Sequence, residues 1–296
     1  MLSPAERSQF LPQLLLLLMI AIWGASFSAT KVALDAGIPA LALIAIRFWI
    51  AVICLLPILN RTRPYLGLGS SWLKGAATGL ALLFGYWFQT HGMKETTSSV
   101  GGFMTGLIVL IVAVGARVLF NERMSRKYIT GLLTGCVGLL VLCYGATANE
   151  TGKNSLSGIL LQVGSSSCFA AHVLLVSRFS PRGNEIAFCW WQLTAVAIGA
   201  TIAATAAGFD LQDLIAATPN TWLAIGYLGL LATALGITVQ STMQPRVPPS
   251  RVAILLATQP AFAVIAGVII MGDSLGALEW VGGTIIAASV LIANRR

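Results

Sequence analysis

The residues of this 296-residue chain that could hold a ligand or a proton are few, and most lie inside long apolar runs. Gln89, Gln192, Gln240 and Gln259 each place a carboxamide there. An amide in hydrocarbon is costly unless protein, water or substrate pairs it. Gln259 adjoins Thr258 and Pro260, and Pro260 cannot donate to the carbonyl of Leu256. The run therefore has to kink and leave an acceptor free. This cluster suits a substrate ammonium or carboxylate, and equally a structural kink whose glutamine is satisfied internally. His91 and His172 either pack as hydrogen-bonded residues or titrate near neutrality as proton-sensitive groups. Arg47, deep in its run, requires an internal partner and reads as a structural anchor rather than a carboxylate binder. Trp23 and Phe169 stand at matching depth in two different runs. They could wall a cavity that stacks on an apolar side chain, or simply pack. Gly24, beside Trp23, would let a neighbour approach. Ser26, Ser28 and Thr30 either line a path or bond back to their own helix.

The elements that must position these residues follow from composition. Hydrophobic residues make up 57% of the chain and charged ones 9%, with mean hydropathy +0.85, against about 25% charged in soluble domains. The chain reads as an all-α integral membrane protein. Ten apolar spans of the length needed to cross hydrocarbon fall at about 11–34, 39–59, 73–92, 97–120, 128–146, 156–177, 186–207, 220–243, 250–271 and 278–294. Leu14–Ile22 after Arg7 has the outline of a secretion signal, but the spans that follow favour an uncleaved first helix. Basic residues orient the bundle. With the N-terminus inside, Arg7, Arg61, Arg63, Lys74, Arg123, Arg126, Lys127, Arg178, Arg182, Arg246, Arg251, Arg295 and Arg296 are cytoplasmic, while the outer loops hold Lys94 and Lys153. Both termini are thus expected in the cytoplasm of a bacterial inner-membrane protein. The net charge of +8 serves this orientation and forms no nucleic-acid footprint.

The chain also matches itself. Gln89 falls opposite Gln240, Glu122 opposite Asp273 and Gly131 opposite Gly282 at one shift, with Trp23-Gly24-Ala25 opposite Phe169-Ala170-Ala171 and Arg47 opposite Gln192 at a nearby one. Two five-helix repeats, 1–150 and 151–296, are expected. An odd number of spans in each would insert them with opposite orientation around a central cavity, as inverted-repeat transporters do. Gly75/Gly79, Gly102/Gly106 and Gly131/Gly135 are small-xxx-small pairs for close helix packing.

Trp23-Gly24-Ala25-Ser26-Phe27, Arg47 in the second span, and Asn121-Glu122-Arg123-Met124-Ser125 before a Gly-rich fifth span resemble the EamA-type drug/metabolite transporters over nearly the whole chain. The resemblance implies a ten-helix bundle whose cavity is lined by spans 1, 3, 4, 6, 8 and 9. It also implies movement of small metabolites, often export of amino acids. The candidate lining is Trp23, Gly24, Phe27, Gln89, Phe169, His172, Gln240, Thr258, Gln259 and Pro260. Pro260 has Val109 as its counterpart in the first repeat, so unequal bending of the two repeats is expected.

The chain carries no G-x-x-x-x-G-K-[ST], H-E-x-x-H or G-x-S-x-G, which argues against an ATP site and against an enzyme. Its five cysteines form no C-x-x-C pair and read as packing residues, so neither metal nor cofactor is implied. No Asp or Glu lies deep in a span. That disfavours a dedicated lipophilic-cation pump and favours neutral or zwitterionic cargo, most of all amino acids, bulky apolar or aromatic ones included. A facilitator, a proton-coupled drug or metabolite exporter, and a non-transporting membrane enzyme or assembly subunit stand as rival readings. The expected partners are a small-molecule substrate and the bilayer, with no nucleic acid, and nothing requires more than a monomer.

Overall fold

The computed structural model describes residues 4–61, 70–120, 126–148, 154–181, 183–210, 218–247, 252 and 255–294. Everything regular among them is helical. In chain order the helices are α1 (Pro4–Asp35), α2 (Ala40–Arg61), α3 (Ser70–Gly92), α4 (Ser98–Met104), α5 (Gly106–Phe120), α6 (Arg126–Ala148), α7 (Leu156–Phe179) and α8 (Glu185–Ala206). Then follow α9 (Pro219–Gly226), a π-helical stretch Tyr227–Leu235, α10 (Gly236–Met243), α11 (Gln259–Ala266) with a second π turn Gly267–Met271, and α12 (Ala277–Asn294). Among the described residues, seven stretches are long and apolar enough to cross a membrane: Phe10–Asp35, Ala40–Asn60, Ser98–Leu119, Ile129–Ala146, Leu156–Phe179, Glu185–Ala206 and Pro219–Arg246. Gln259–Met271 and Ala277–Ser289 are shorter apolar helices. α3 is less apolar, carrying Lys74, Gln89, Thr90 and His91. The protein is a multi-pass membrane protein.

Capping chemistry sets the ends. Thr97, Ser155 and Thr218 each accept a backbone N–H three residues on, starting α4, α7 and α9. Gly37 (φ 88°), Gly208 (φ 79°) and Gly272 (φ 64°) hold the left-handed turn that closes α1, α8 and the second π turn.

Two spans break at a threonine. Thr105 ends α4 and its hydroxyl donates to Gly102 O at 2.7 Å. Thr258, just before α11, donates to Leu255 O at the same distance. Pro260 takes an early position of α11, where its missing N–H costs nothing. Pro260 and its counterpart Val109 thus each lie just beyond a helix break. Both segments break, and a threonine turned back on its own chain is common to both.

The packing pairs helices from the two ends of the sequence. α12 lies along α6; α3 lies against α7 and α8; α2 lies against α8 and the first π stretch; α1 lies against α10 and α11; α4 and α5 lie against α7. Small residues allow it. A methyl on Gly79 would meet Gln192 O and Ala195 Cβ of α8, and one on Gly102 would collide with Ala263 of α11. Large apolar side chains such as Ile53, Leu80, Phe84, Ile202 and Ile269 are exposed on the outside of the bundle, where a bilayer is their natural solvent. Inside, two clusters of buried residues meet. Trp23 and Phe169 pack against both of them.

Candidate functional site

A small central cavity of about 50 Å³ opens at that junction, well under the roughly 300–1,000 Å³ of a site shaped around a whole small molecule. Each helix contributes a stripe at helical spacing. α1 supplies Trp23, Ser26 and Phe27; α3 supplies Leu82, Tyr86 and Gln89; α5 supplies Ile108; α7 supplies Phe169, His172 and Val173. Ile237 and Gln240 come from α10, with Leu256 and Gln259 from the broken segment and α11. These elements fall in the 11–34, 73–92, 97–120, 156–177, 220–243 and 250–271 spans, the six that the sequence resemblance implies. Among the described residues, no carboxylate stands in the lining.

The walls are aromatic and held from behind. Trp23 Nε1 donates to Ala232 O at 2.7 Å, inside the π stretch. Tyr227 donates its hydroxyl to Ile22 O at 2.7 Å. A π ladder runs i to i+5 and sits where function needs an irregular helix; here it offers its Ala232 carbonyl to another helix. Phe169 meets Tyr86 edge-on at 5.1 Å, and Tyr86 meets Phe48 at 5.2 Å. A methyl on Gly85 would strike the Phe169 ring, so that glycine lets the ring lie flat on α3.

Arg47 stands behind Tyr86. Its Nε donates to Thr233 Oγ1 at 2.9 Å, and its Nη2 is 3.5 Å from the Tyr86 hydroxyl. Its guanidinium carbon lies 4.5 Å from the Tyr86 ring centroid and 5.8 Å from that of Phe48. It is 2% exposed and has no acidic partner among the described residues. His172 Nε2 is 2.8 Å from Gln192 Oε1, and Gln192 turns its nitrogen to Ser241 Oγ at 3.3 Å. That orientation makes Nε2 the donor. Gln240 Nε2 donates to Gln244 Oε1 at 2.9 Å. The side chains of Gln89 and Gln259 line the cavity with no hydrogen-bond partner among the described residues, although Gln162 donates to the backbone carbonyl of Gln89.

The EamA-like transporter family matches residues 11–144 and again 156–295. The chain belongs to the EamA-like transporter family. It is 26% identical to an "Uncharacterized transporter" of Archaeoglobus fulgidus, over 95% of this chain and 85% of that protein. It is 25% identical to a "Probable amino-acid metabolite efflux pump" of Salmonella typhimurium, over 94% of this chain and 93% of that one. It is 26% identical to an "Uncharacterized inner membrane transporter" of Escherichia coli, over 92% and 87%. One solved crystal structure superposes with a TM-score of 0.68 at 16% identity, covering 96% of this chain and 97% of that one, a likeness of fold alone.

In this EamA-like transporter, eight of the residues singled out from sequence meet in one lining: Trp23, Ser26, Phe27, Gln89, Phe169, His172, Gln240 and Gln259. Three do not reach it. Gly24 is filled by helix packing, since a methyl there would meet Phe262 and the backbone of α11. Thr258 spends its hydroxyl on Leu255 O. Pro260 is buried in α11 beside Gly106. His91 is also outside the lining, with Nδ1 2.8 Å from Trp87 O and its ring edge-on to Trp87. Ser28 is buried and Thr30 likewise. Asn121–Ser125, including Glu122, lie outside the described residues. Sequence reasoning missed the aliphatic lining residues Leu82, Ile108, Val173 and Ile237 and the aromatic Tyr86. The signal for Tyr86 was its place between Leu82 and Gln89 on one helical stripe.

A second polar cluster occupies one end of the bundle, lined by Lys31, Asp35, Lys94, Glu95, Thr97, Ser155 and Asp273. Asp273 Oδ2 accepts from Ser98 Oγ (2.8 Å), Ser99 N (2.9 Å) and Ser99 Oγ (2.8 Å), tying the loop before α12 to the start of α4. Lys31 donates to Met93 O at 3.0 Å and pairs with Asp35 at 3.5 Å. Glu95 accepts from the hydroxyls of Ser155 and Ser157 at the start of α7. Those two hydrogen bonds hold its carboxyl below the usual carboxylate range.

Proposed function

We propose that this membrane transporter carries small neutral or zwitterionic metabolites, most of all amino acids with aromatic or bulky apolar side chains, out of the cell by alternating access. The observation that carries this reading is the cavity itself. It joins aromatic and aliphatic walls to the amides of Gln89, Gln240 and Gln259 and contains no carboxylate, a setting for an apolar side chain with a polar head and a poor one for a lone cation. The name printed for the Salmonella relative points the same way.

On this reading α3, α11 and α12 also cross the bilayer and make ten spans, divided as 1–150 and 151–296 into inverted repeats. Helix packing supports the division. Exchanging the two repeats turns the contact of α1 with α11 into that of α7 with α4 and α5, and the contact of α3 with α7 into that of α1 with α10. It also turns the contact of α2 with the π stretch into that of α8 with α3, and leaves α6–α12 and α2–α8 unchanged. The termini are cytoplasmic and the membrane is the bacterial inner membrane, as the basic-residue asymmetry argues. Arg47 is an anchor between α2, Tyr86 and Thr233.

The test is uptake by purified protein in liposomes across a panel of amino acids, with and without an imposed pH gradient. Downhill flux of an apolar amino acid without a proton gradient is the expected result; no flux of any amino acid overturns the reading. A second reading, proton coupling, draws on His172 standing in the lining. Flux that needs an opposing proton gradient and is lost in His172→Gln would establish it in place of the facilitator.

A further inference from the structure

Three buried polar side-chain atoms have no partner among the described residues: Ser28 Oγ, Trp190 Nε1 and Gln240 Oε1. Of these residues Gln240 lines the cavity, and it is 2% exposed. Oxygen and nitrogen of an amide are easily exchanged on paper, but the neighbours fix which is which. Gln244 contacts Val173 O at 2.9 Å and Ser177 Oγ at 2.8 Å through one end of its amide. A peptide carbonyl only accepts, so that end is the nitrogen. Gln244 therefore shows its oxygen to Gln240, 2.9 Å away, and Gln240 must answer with its own nitrogen. What remains is a buried acceptor on a residue of the cavity lining, oriented through two residues by a backbone carbonyl.

We propose that Gln240 Oε1 is the subsite for a hydrogen-bond donor on the substrate, and that this donor is an ammonium. An unpaired acceptor away from water is destabilising, and a donor from the substrate relieves it. The electrostatics narrow the class further. A buried charge, Arg47, stands 4.5 Å from the ring centroid of the lining residue Tyr86, with no acidic partner among the described residues. A plain amine would bring a second positive charge into that field; a zwitterion brings a carboxylate to offset Arg47. An ammonium at Gln240 and a carboxylate in the same molecule describe an unmodified amino acid, as against its N-acylated or decarboxylated forms. This inference rests on the amino-acid reading above and adds which end of the substrate is recognised and by which atom.

The experiment is counterflow of labelled L-phenylalanine into liposomes holding the purified transporter. Unlabelled L-phenylalanine, N-acetyl-L-phenylalanine and phenethylamine serve as competitors. With the parental protein, phenylalanine should compete about 10- to 100-fold better than the N-acetyl compound, the size of one hydrogen bond to a charged group. Gln240→Met keeps the volume and removes the acceptor, so that preference should collapse to within about 2-fold. Gln240→Glu keeps an acceptor, so it should retain the preference and strengthen competition by phenethylamine. A Gln240→Met protein that still discriminates overturns the subsite while leaving amino-acid transport standing. Parental protein that moves no phenylalanine and no other apolar amino acid overturns both.

Discussion

Asp273→Ala should release one end of the bundle. The Asp273 carboxylate joins the loop before α12 to the first turn of α4 through three accepted hydrogen bonds. Two come from serine hydroxyls, which can rotate toward other acceptors, so their loss is partly recovered. The third, from Ser99 N, belongs to a fully buried residue at the start of a helix. Removing its charged acceptor costs about 1.5–3 kcal/mol. If the two repeats separate at this end during transport, that cost falls on the closed form alone. It then shifts the open-to-closed ratio by about 10- to 150-fold. The assay is labelling of Ser26→Cys, a cavity-lining position, by an impermeant thiol reagent in a protein freed of its native cysteines. Added to the face carrying Lys94 and Glu95, which is external on the proposed topology, the reagent should react faster in the Asp273→Ala protein by up to that factor. Asp273→Asn, which keeps an acceptor without the charge, should fall between. A well-folded Asp273→Ala protein labelled at the parental rate would refute the reasoning.

Trp23→Phe keeps a ring but strips the donor from Ala232 O, and should lower stability by about 1–3 kcal/mol while preserving most transport. Trp23→Ala should alter rate or selectivity far more than expression, and parental transport of every substrate would place Trp23 outside the path. Glu95 has a lowered carboxyl pKa, so its contribution is present above the ordinary glutamate pKa of about 4.3 and is lost as pH falls through the lower folded value. The small difference in melting temperature between parental protein and Glu95→Gln should therefore be seen at neutral pH and vanish in acid; a difference that grows on acidification contradicts the assignment. Topology is checked at two positions outside the described residues. A cysteine at Asp213 should react with an impermeant reagent on spheroplasts and one at Arg63 should not, reversed labelling being fatal to the orientation.

Hydropathy located the helices because length and apolar content are additive properties of a run, but α1 begins at Pro4 rather than near 11, the 97–120 span breaks at Thr105, and α11 of the 250–271 span begins at Gln259. Amides were legible for a related reason. Gln89, Gln240 and Gln259 are out of place in hydrocarbon, so each declares itself. Tyr86 did not, since an aromatic on an apolar stripe looks the same whether it faces a cavity, a helix or lipid. Thr258 and Gly24 mislead in the opposite direction. Being next to a lining residue rotates a side chain by about 100° on a helix, and both face a neighbouring backbone instead. The break at Thr105 had no proline to announce it, and the hydroxyl that bonds back to Gly102 O there is a bond that Thr78 and Thr194 also make inside unbroken helices.

The π stretch Tyr227–Leu235 has a consequence for the chain's length. A methyl on Gly79 would meet Ala195 of α8, and one on Gly229 would meet Ile50 of α2, equivalent seats if the repeats are exchanged. These two glycines are 150 positions apart, whereas Gln89 and Gln240, on the far side of the stretch, are 151 apart. An i-to-i+5 ladder takes up about one more residue per turn. On the two-repeat division proposed above, the stretch takes up one residue more than its counterpart in α3, inside a helix rather than in a loop. On that division, deleting one residue between Leu230 and Leu235 should equalise the two spacings and leave both flanking faces in register. It would also draw the Ala232 carbonyl back into its own helix and strand the indole of Trp23.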